Sequence, residues 1–68
     1  MFKIIDYSHR YFSHFGFYRE DGRLGSVGFG AIELAKSYDS KELAQADCDT
    51  LNKFFSEASV LTNKCVVI

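Results

Sequence analysis

Five apolar residues, Ala44, Cys48, Leu51, Phe55 and Ala58, recur along this chain at steps of four, three, four and three. On a helix they fall in one stripe, so the stretch from Asp39 to Ser59 reads as a single amphipathic α-helix with one face against a core. Lys41, Gln45, Asp49, Asn52 and Ser56 fill the opposite side, which makes it a surface helix rather than a central one. At its start Asp39 or Ser40 can accept hydrogen bonds from the free amides of the first turn, and Asp39 with Glu42 has the spacing of a capping box. Acidic groups there suit the positive end of the helix dipole, as Lys53 suits the later part.

One such helix in a 68-residue chain leaves room for a single domain, residues 1–68, with the remaining segments covering the apolar stripe. Phe2–Tyr7 is a short apolar run with β-branched residues, and it reads as a first strand interrupted at Ser8, His9 and Arg10. From Tyr11 to Arg19 bulky residues alternate, with Tyr11, Phe15 and Phe17 in one set and Phe12, His14 and Tyr18 in the other. Gly16 in that run suggests a bulge or a close approach of another group. Glu20-Asp21-Gly22-Arg23 carries the Asp-Gly signal of a tight hairpin. Gly25–Tyr38 is ambiguous between strand and helical turn; strand is favoured through Tyr38, because Asp39 and Ser40 already cap the next helix. After the helix, residues 60–63 turn the chain back and Lys64–Ile68 closes it as a strand.

The sequence therefore predicts an α+β domain of order β-β-β-α-β: a small antiparallel sheet of three or four strands with one helix packed on one face. Ala35, Tyr38, Ser40, Glu42 and Ala44, followed by an aromatic-ended helix and a terminal Val-Val-Ile strand, make the chain similar to many small orphan α+β proteins of bacteria and their phages. In those a β-meander runs into a capped helix and a last strand. The resemblance implies that fold and the role of a small accessory protein of phage or prophage origin, and it transfers no functional residues.

Composition narrows the function. With 47% hydrophobic residues, seven Phe and four Tyr, the chain carries more aromatic material than one helix on one sheet can fully bury, which points to a contact surface. A net charge of −1 removes any global attraction to nucleic acid or anionic membranes. No apolar run approaches the roughly 18 residues that span a bilayer, and the N-terminal segment lacks the features of a signal peptide, so a cytoplasmic location is expected.

The densest chemical cluster lies between Tyr7 and Arg19, where His9, Arg10, His14 and Arg19 are interleaved with aromatics. Arg10, Tyr11, Phe12, His14, Tyr18 and Arg19 are the expected binding residues, since Tyr, Phe and Arg dominate protein hot spots. Stacking on Phe12, His14 and Tyr18 flanked by Arg10 and Arg19 would also suit single-stranded nucleic acid, the less favoured partner. A protein partner is preferred, and a homodimer is expected through a sheet edge or through Phe54, which widens the apolar arc of the helix end.

Catalytic, cofactor and metal sites are not expected. Cys48 and Cys65 are 17 positions apart, form no Cys-x-x-Cys motif and make no zinc knuckle with His9 and His14. They read as reduced, packed thiols. Cys48 with His14 would be the one nucleophile-base pair, but Cys48 lies on the core stripe, where a thiol is inert. Gly25, Gly28 and Gly30 lack the Lys-Ser/Thr ending of a phosphate loop and read as an irregular strand.

Overall fold

A computed structural model describes residues 1–57 and 64–68. Strand β1 (Ile4–Ile5), β2 (Tyr11–Phe15), β3 (Val27–Gly30), helix α1 (Lys41–Glu57) and β4 (Val66–Val67) follow one another in the expected order. The four strands form one antiparallel sheet of order β3-β2-β1-β4, and α1 covers one of its faces. The fold is therefore α+β, as the pattern of one helix among short strands requires.

Two hairpins build the first half. In the first, the Asp6 N–H donates to the Arg10 carbonyl at 3.0 Å and the His9 N–H returns to the Asp6 carbonyl at 3.0 Å. His9 sits at φ 60°, the left-handed region that closes such a turn. The Asp6 carboxylate is buried and holds the loop from inside: Oδ1 accepts from the Ser8 N–H at 3.0 Å and the Arg10 N–H at 2.9 Å, while Oδ2 takes Arg10 Nε at 2.9 Å and Nη2 at 2.8 Å. The second hairpin turns at the expected Asp-Gly, with Gly22 at φ 82°.

Between β2 and β3 the register slips once. Phe12 stands opposite Phe29 but His14 stands opposite Gly28, so Ser13 is an extra residue on β2. This bulge overturns the simple alternation read from the sequence. Phe12 and Phe15, expected on opposite sides, both turn toward α1, with ring centroids 4.8 Å apart. Gly28 in β3 and Gly25 just before it also find their reason. A side chain at Gly28 would collide with the His14 ring and one at Gly25 with the Phe17 ring, so aromatic groups cover backbone that carries no Cβ. The irregularity lies on β2; β3 keeps its register.

The stretch expected as strand through Tyr38 is different. After Gly30 the chain forms a 3-10 turn, Ile32–Leu34, and then an extended piece that enters where β1 and β2 splay apart. There the Lys36 N–H donates to the Phe12 carbonyl at 2.9 Å, and Phe2 and Tyr38 exchange both backbone bonds at 2.9 Å. A single bridge therefore replaces a continuous strand, because the splay admits only one residue pair. Tyr38 turns into the core and donates its hydroxyl to Asp47 Oδ2 at 2.5 Å.

Helix α1 begins one residue after Ser40, whose Oγ accepts from the Leu43 N–H at 3.2 Å, so Ser40 rather than the Asp39–Glu42 pair caps it. Ala44, Cys48, Leu51 and Phe55 are its buried residues, as the spacing predicts; Ala58 and the turn at residues 60–63 lie outside the described residues. The core joins that stripe to Ile4, Phe12, Tyr38 and Cys65. Asn52, assigned from the sequence to the polar face, instead clamps β4 to the helix: its Oδ1 accepts the Cys65 N–H at 2.7 Å and its Nδ2 donates to the Cys65 carbonyl at 3.1 Å.

Candidate functional site

The six residues expected to bind together are dispersed by the fold. Phe12 is fully buried at the centre of the core, a correction, because its side of β2 faces α1, and the bulge at Ser13 then turns His14 to the other side. Arg10 is committed to the buried Asp6 carboxylate. Tyr18 and Arg19 stand at the tip of the second hairpin, with Arg19 Nη2 3.7 Å from Asp21 Oδ2. Tyr11 and His14 lie on the face of the sheet away from α1. The stacking platform of Phe12, His14 and Tyr18 therefore does not form.

Tyr18 instead meets Phe54. Together with Leu24, Arg23, Lys53 and Glu57 they border a cleft of about 290 Å³ between the hairpin tip and the second half of α1. Phe54 is half-buried, its ring edge-on to Phe55 at 5.4 Å. Arg23 and Lys53 face a single carboxylate, Glu57, around this cleft.

The outer face of the sheet is a more constrained surface. Residues beside core positions point away from α1: Ile5 next to Ile4, Tyr11 next to Phe12, Val66 between Cys65 and Val67. The strand registers set Gly30, Tyr11, Ile5 and Val66 in one row across all four strands. Lys3 and Ile68 form the next pair, exchanging backbone bonds at 3.0 and 2.8 Å. Leu34 of the 3-10 turn lies over the β3 end of the row, its Cδ1 3.9 Å from where a Gly30 Cβ would stand. A one-layer antiparallel sheet normally shows polar side chains to water on its open face. Here Val66 and Ile68 remain about half exposed, at 48% and 51%, and Leu34 is more exposed still.

At the β2 side of this face Ser13 and His14 make a small polar unit. The Ser13 hydroxyl donates its only proton to the Gly28 carbonyl at 3.1 Å, so in its 2.9 Å contact with His14 Nδ1 it must accept. A hydroxyl that accepts from histidine is not an activated nucleophile.

The cysteines sit on the other side of the sheet. Cys48 Sγ donates to the Cys65 carbonyl at 3.2 Å, and both residues are free thiols in the core. Burial pushes the Cys65 thiol up to about 12, reinforced by Cys48 and Asp6, and burial also raises Cys48. Burial and the Asp47 carboxylate likewise raise the Tyr38 phenol. Cys48 and His14 occupy opposite faces of the sheet, so the nucleophile-base pair is not assembled. Among the described residues no group of three or more His, Cys, Asp or Glu is placed to hold a metal, and no helix is long and apolar enough to cross a membrane.

Comparison with protein-family models, curated proteins and solved structures finds no match to this chain. The site must be argued from its own geometry.

The signal for the outer face was present in the sequence as the alternation Lys64, Val66, Ile68 around Cys65 and Val67. What hid it was that both alternating sets in that segment are apolar, so the pattern does not say which one meets water.

Proposed function

We propose that the protein is a non-catalytic binding module that holds a partner protein against the open face of its sheet. The observation that carries this reading is the row Tyr11–Ile5–Val66 with Ile68 and Leu34: apolar side chains at positions that a water-facing sheet fills with polar ones. Burial of such side chains yields about 25 cal/mol per Å², so even a modest apolar contact contributes several kcal/mol to association. Arg10, bound to Asp6, and Phe12, in the core, are withdrawn from any single-strand binding platform, which favours protein over nucleic acid.

The test is affinity capture with the tagged chain from cell lysate, with and without nuclease, using two single variants. Val66→Glu changes the open face at an exposed edge position, and Leu43→Glu changes a somewhat more exposed position on α1. The reading expects a retained protein that is insensitive to nuclease, lost at least tenfold with Val66→Glu and kept with Leu43→Glu. Equal retention by both variants, or recovery abolished by nuclease, overturns it.

A further inference from the structure

The chain has nine carboxylates, and none lies on a strand. Asp6, Glu20 and Asp21 are in the hairpin turns, Glu33 is on the 3-10 turn, and Asp39, Glu42, Asp47, Asp49 and Glu57 belong to α1 and its cap. The strands themselves carry no charged residue of either sign, and beside β1 and β4 the outward-facing charges are Lys3 and Lys64. Lys3 points away from α1 because its neighbours Phe2 and Ile4 pack inward, and exposed Lys64 likewise precedes buried Cys65. On β1 and β4 the open face is therefore apolar ground with a lysine at each end.

The usable part of that ground is narrow. The 3-10 turn with Leu34 and Glu33 covers the β3 end of the face, which leaves β1 and β4 open, with Ile5, Val66 and Ile68 between Lys3 and Lys64. Two strands at about 4.8 Å spacing offer a strip that matches one α-helix, whose diameter with side chains is about 10 Å. Lys64 and the Lys3–Ile68 pair stand at opposite ends of the strip, about 13 Å apart at ~3.3 Å per strand residue. On a helix rising ~1.5 Å per residue, that separation is about two turns.

From this we infer that the open face docks an amphipathic helix of the partner, with carboxylates about two turns apart that meet Lys3 and Lys64. The inference rests on the function proposed above and specifies the chemistry of the partner. A second copy placed sheet to sheet would bring Lys3 and Lys64 of both chains together with no strand carboxylate to meet them, which makes that occupant unfavourable.

The experiment titrates the isotope-labelled full chain with two synthetic helical peptides of identical apolar stripe, one flanked by Glu two turns apart and one by Lys. The Glu peptide is expected to shift the amides of Lys3, Ile5, Val66 and Ile68 and to bind at least tenfold more tightly than the Lys peptide. The double variant Lys3→Glu/Lys64→Glu should reverse that order, and salt should shrink the preference. Equal affinity for the two peptides, shifts centred on α1 or on the Tyr18–Phe54 cleft, or no binding by either peptide overturns the inference. If neither peptide binds while Val66→Glu still abolishes capture, the binding function stands and only its helical partner falls. Sedimentation of the full chain supplies one further arm. Self-association that is lost in Glu42→Gln/Asp49→Asn would make the acidic outer side of a second α1 the occupant, and would likewise overturn an external partner.

Discussion

In the first hairpin Asp6 donates its N–H to the carbonyl of Arg10 and accepts from the N–H of His9; in the second, Arg19 donates to Arg23 and accepts from Gly22, with bonds of 2.7 and 2.9 Å. The backbone pattern is the same, and in each the next-to-last residue has positive φ. The side chains are used in opposite ways. The first turn buries a carboxylate and spends an arginine on it, whereas the second leaves Arg19 loosely beside Asp21 and uses Asp21 Oδ1 only to accept the Arg23 N–H at 3.0 Å. One backbone solution thus serves as an internal brace at one end of β2 and as an exposed tip at the other.

The sharpest way to break this comparison is to remove the two carboxylates in turn. Asp6→Ala strands two backbone N–H groups and a guanidinium, and should cost about 3 kcal/mol in urea unfolding. Asp21→Ala should stay within about 0.5 kcal/mol. Equal losses would mean that burial of Asp6 is not what fixes the first turn. The arginines should follow the same order with smaller effects: Arg10→Ala costs about 1.5 kcal/mol by leaving Asp6 partly unpaired, and Arg19→Ala changes stability by less than about 0.5 kcal/mol. Backbone strain sharpens the comparison further. Gly22→Ala puts a Cβ in the left-handed region and should cost about 1 kcal/mol, while His9→Gly relieves the same strain and should raise the thermal midpoint slightly, by about 0.5 kcal/mol in stability. The smallest effect is expected at the exposed tip itself, where Tyr18→Ala should leave stability within about 0.5 kcal/mol.

The same pair of turns marks how much was legible in the sequence. Gly22 follows an Asp and announces its turn by composition alone. His9 announces nothing, because no turn signal accompanies it and the Asp6 carboxylate that holds its loop is buried only in the folded sheet. The helix stripe was readable for the opposite reason: Ala44, Cys48, Leu51 and Phe55 all meet one core, so a single period describes them. β2 was not, since one extra residue at Ser13 shifts every later side chain to the other face. That slip put His14 on the face opposite Phe12, so the anticipated surface lost Phe12 to the core and kept Tyr11 and His14 on the outer side. Lys36–Tyr38 was misread because its pairing depends on a splay between β1 and β2, which no local pattern encodes. Asn52 looked solvent-facing, as a polar residue between charged neighbours does, until its partner strand is placed beside it.

That asparagine has a consequence for how the molecule behaves in a crowded solution. A terminal β-strand ordinarily presents backbone donors and acceptors on which another chain can add, the first step toward aggregates and fibrils. At Cys65 the side-chain amide of Asn52 supplies both the donor and the acceptor that an incoming strand would supply. With Val66 and Ile68 apolar and exposed on the same segment, this amide closes one position of the edge to strand addition. Its loss would be felt less as a weaker fold than as a protein that no longer stays dispersed.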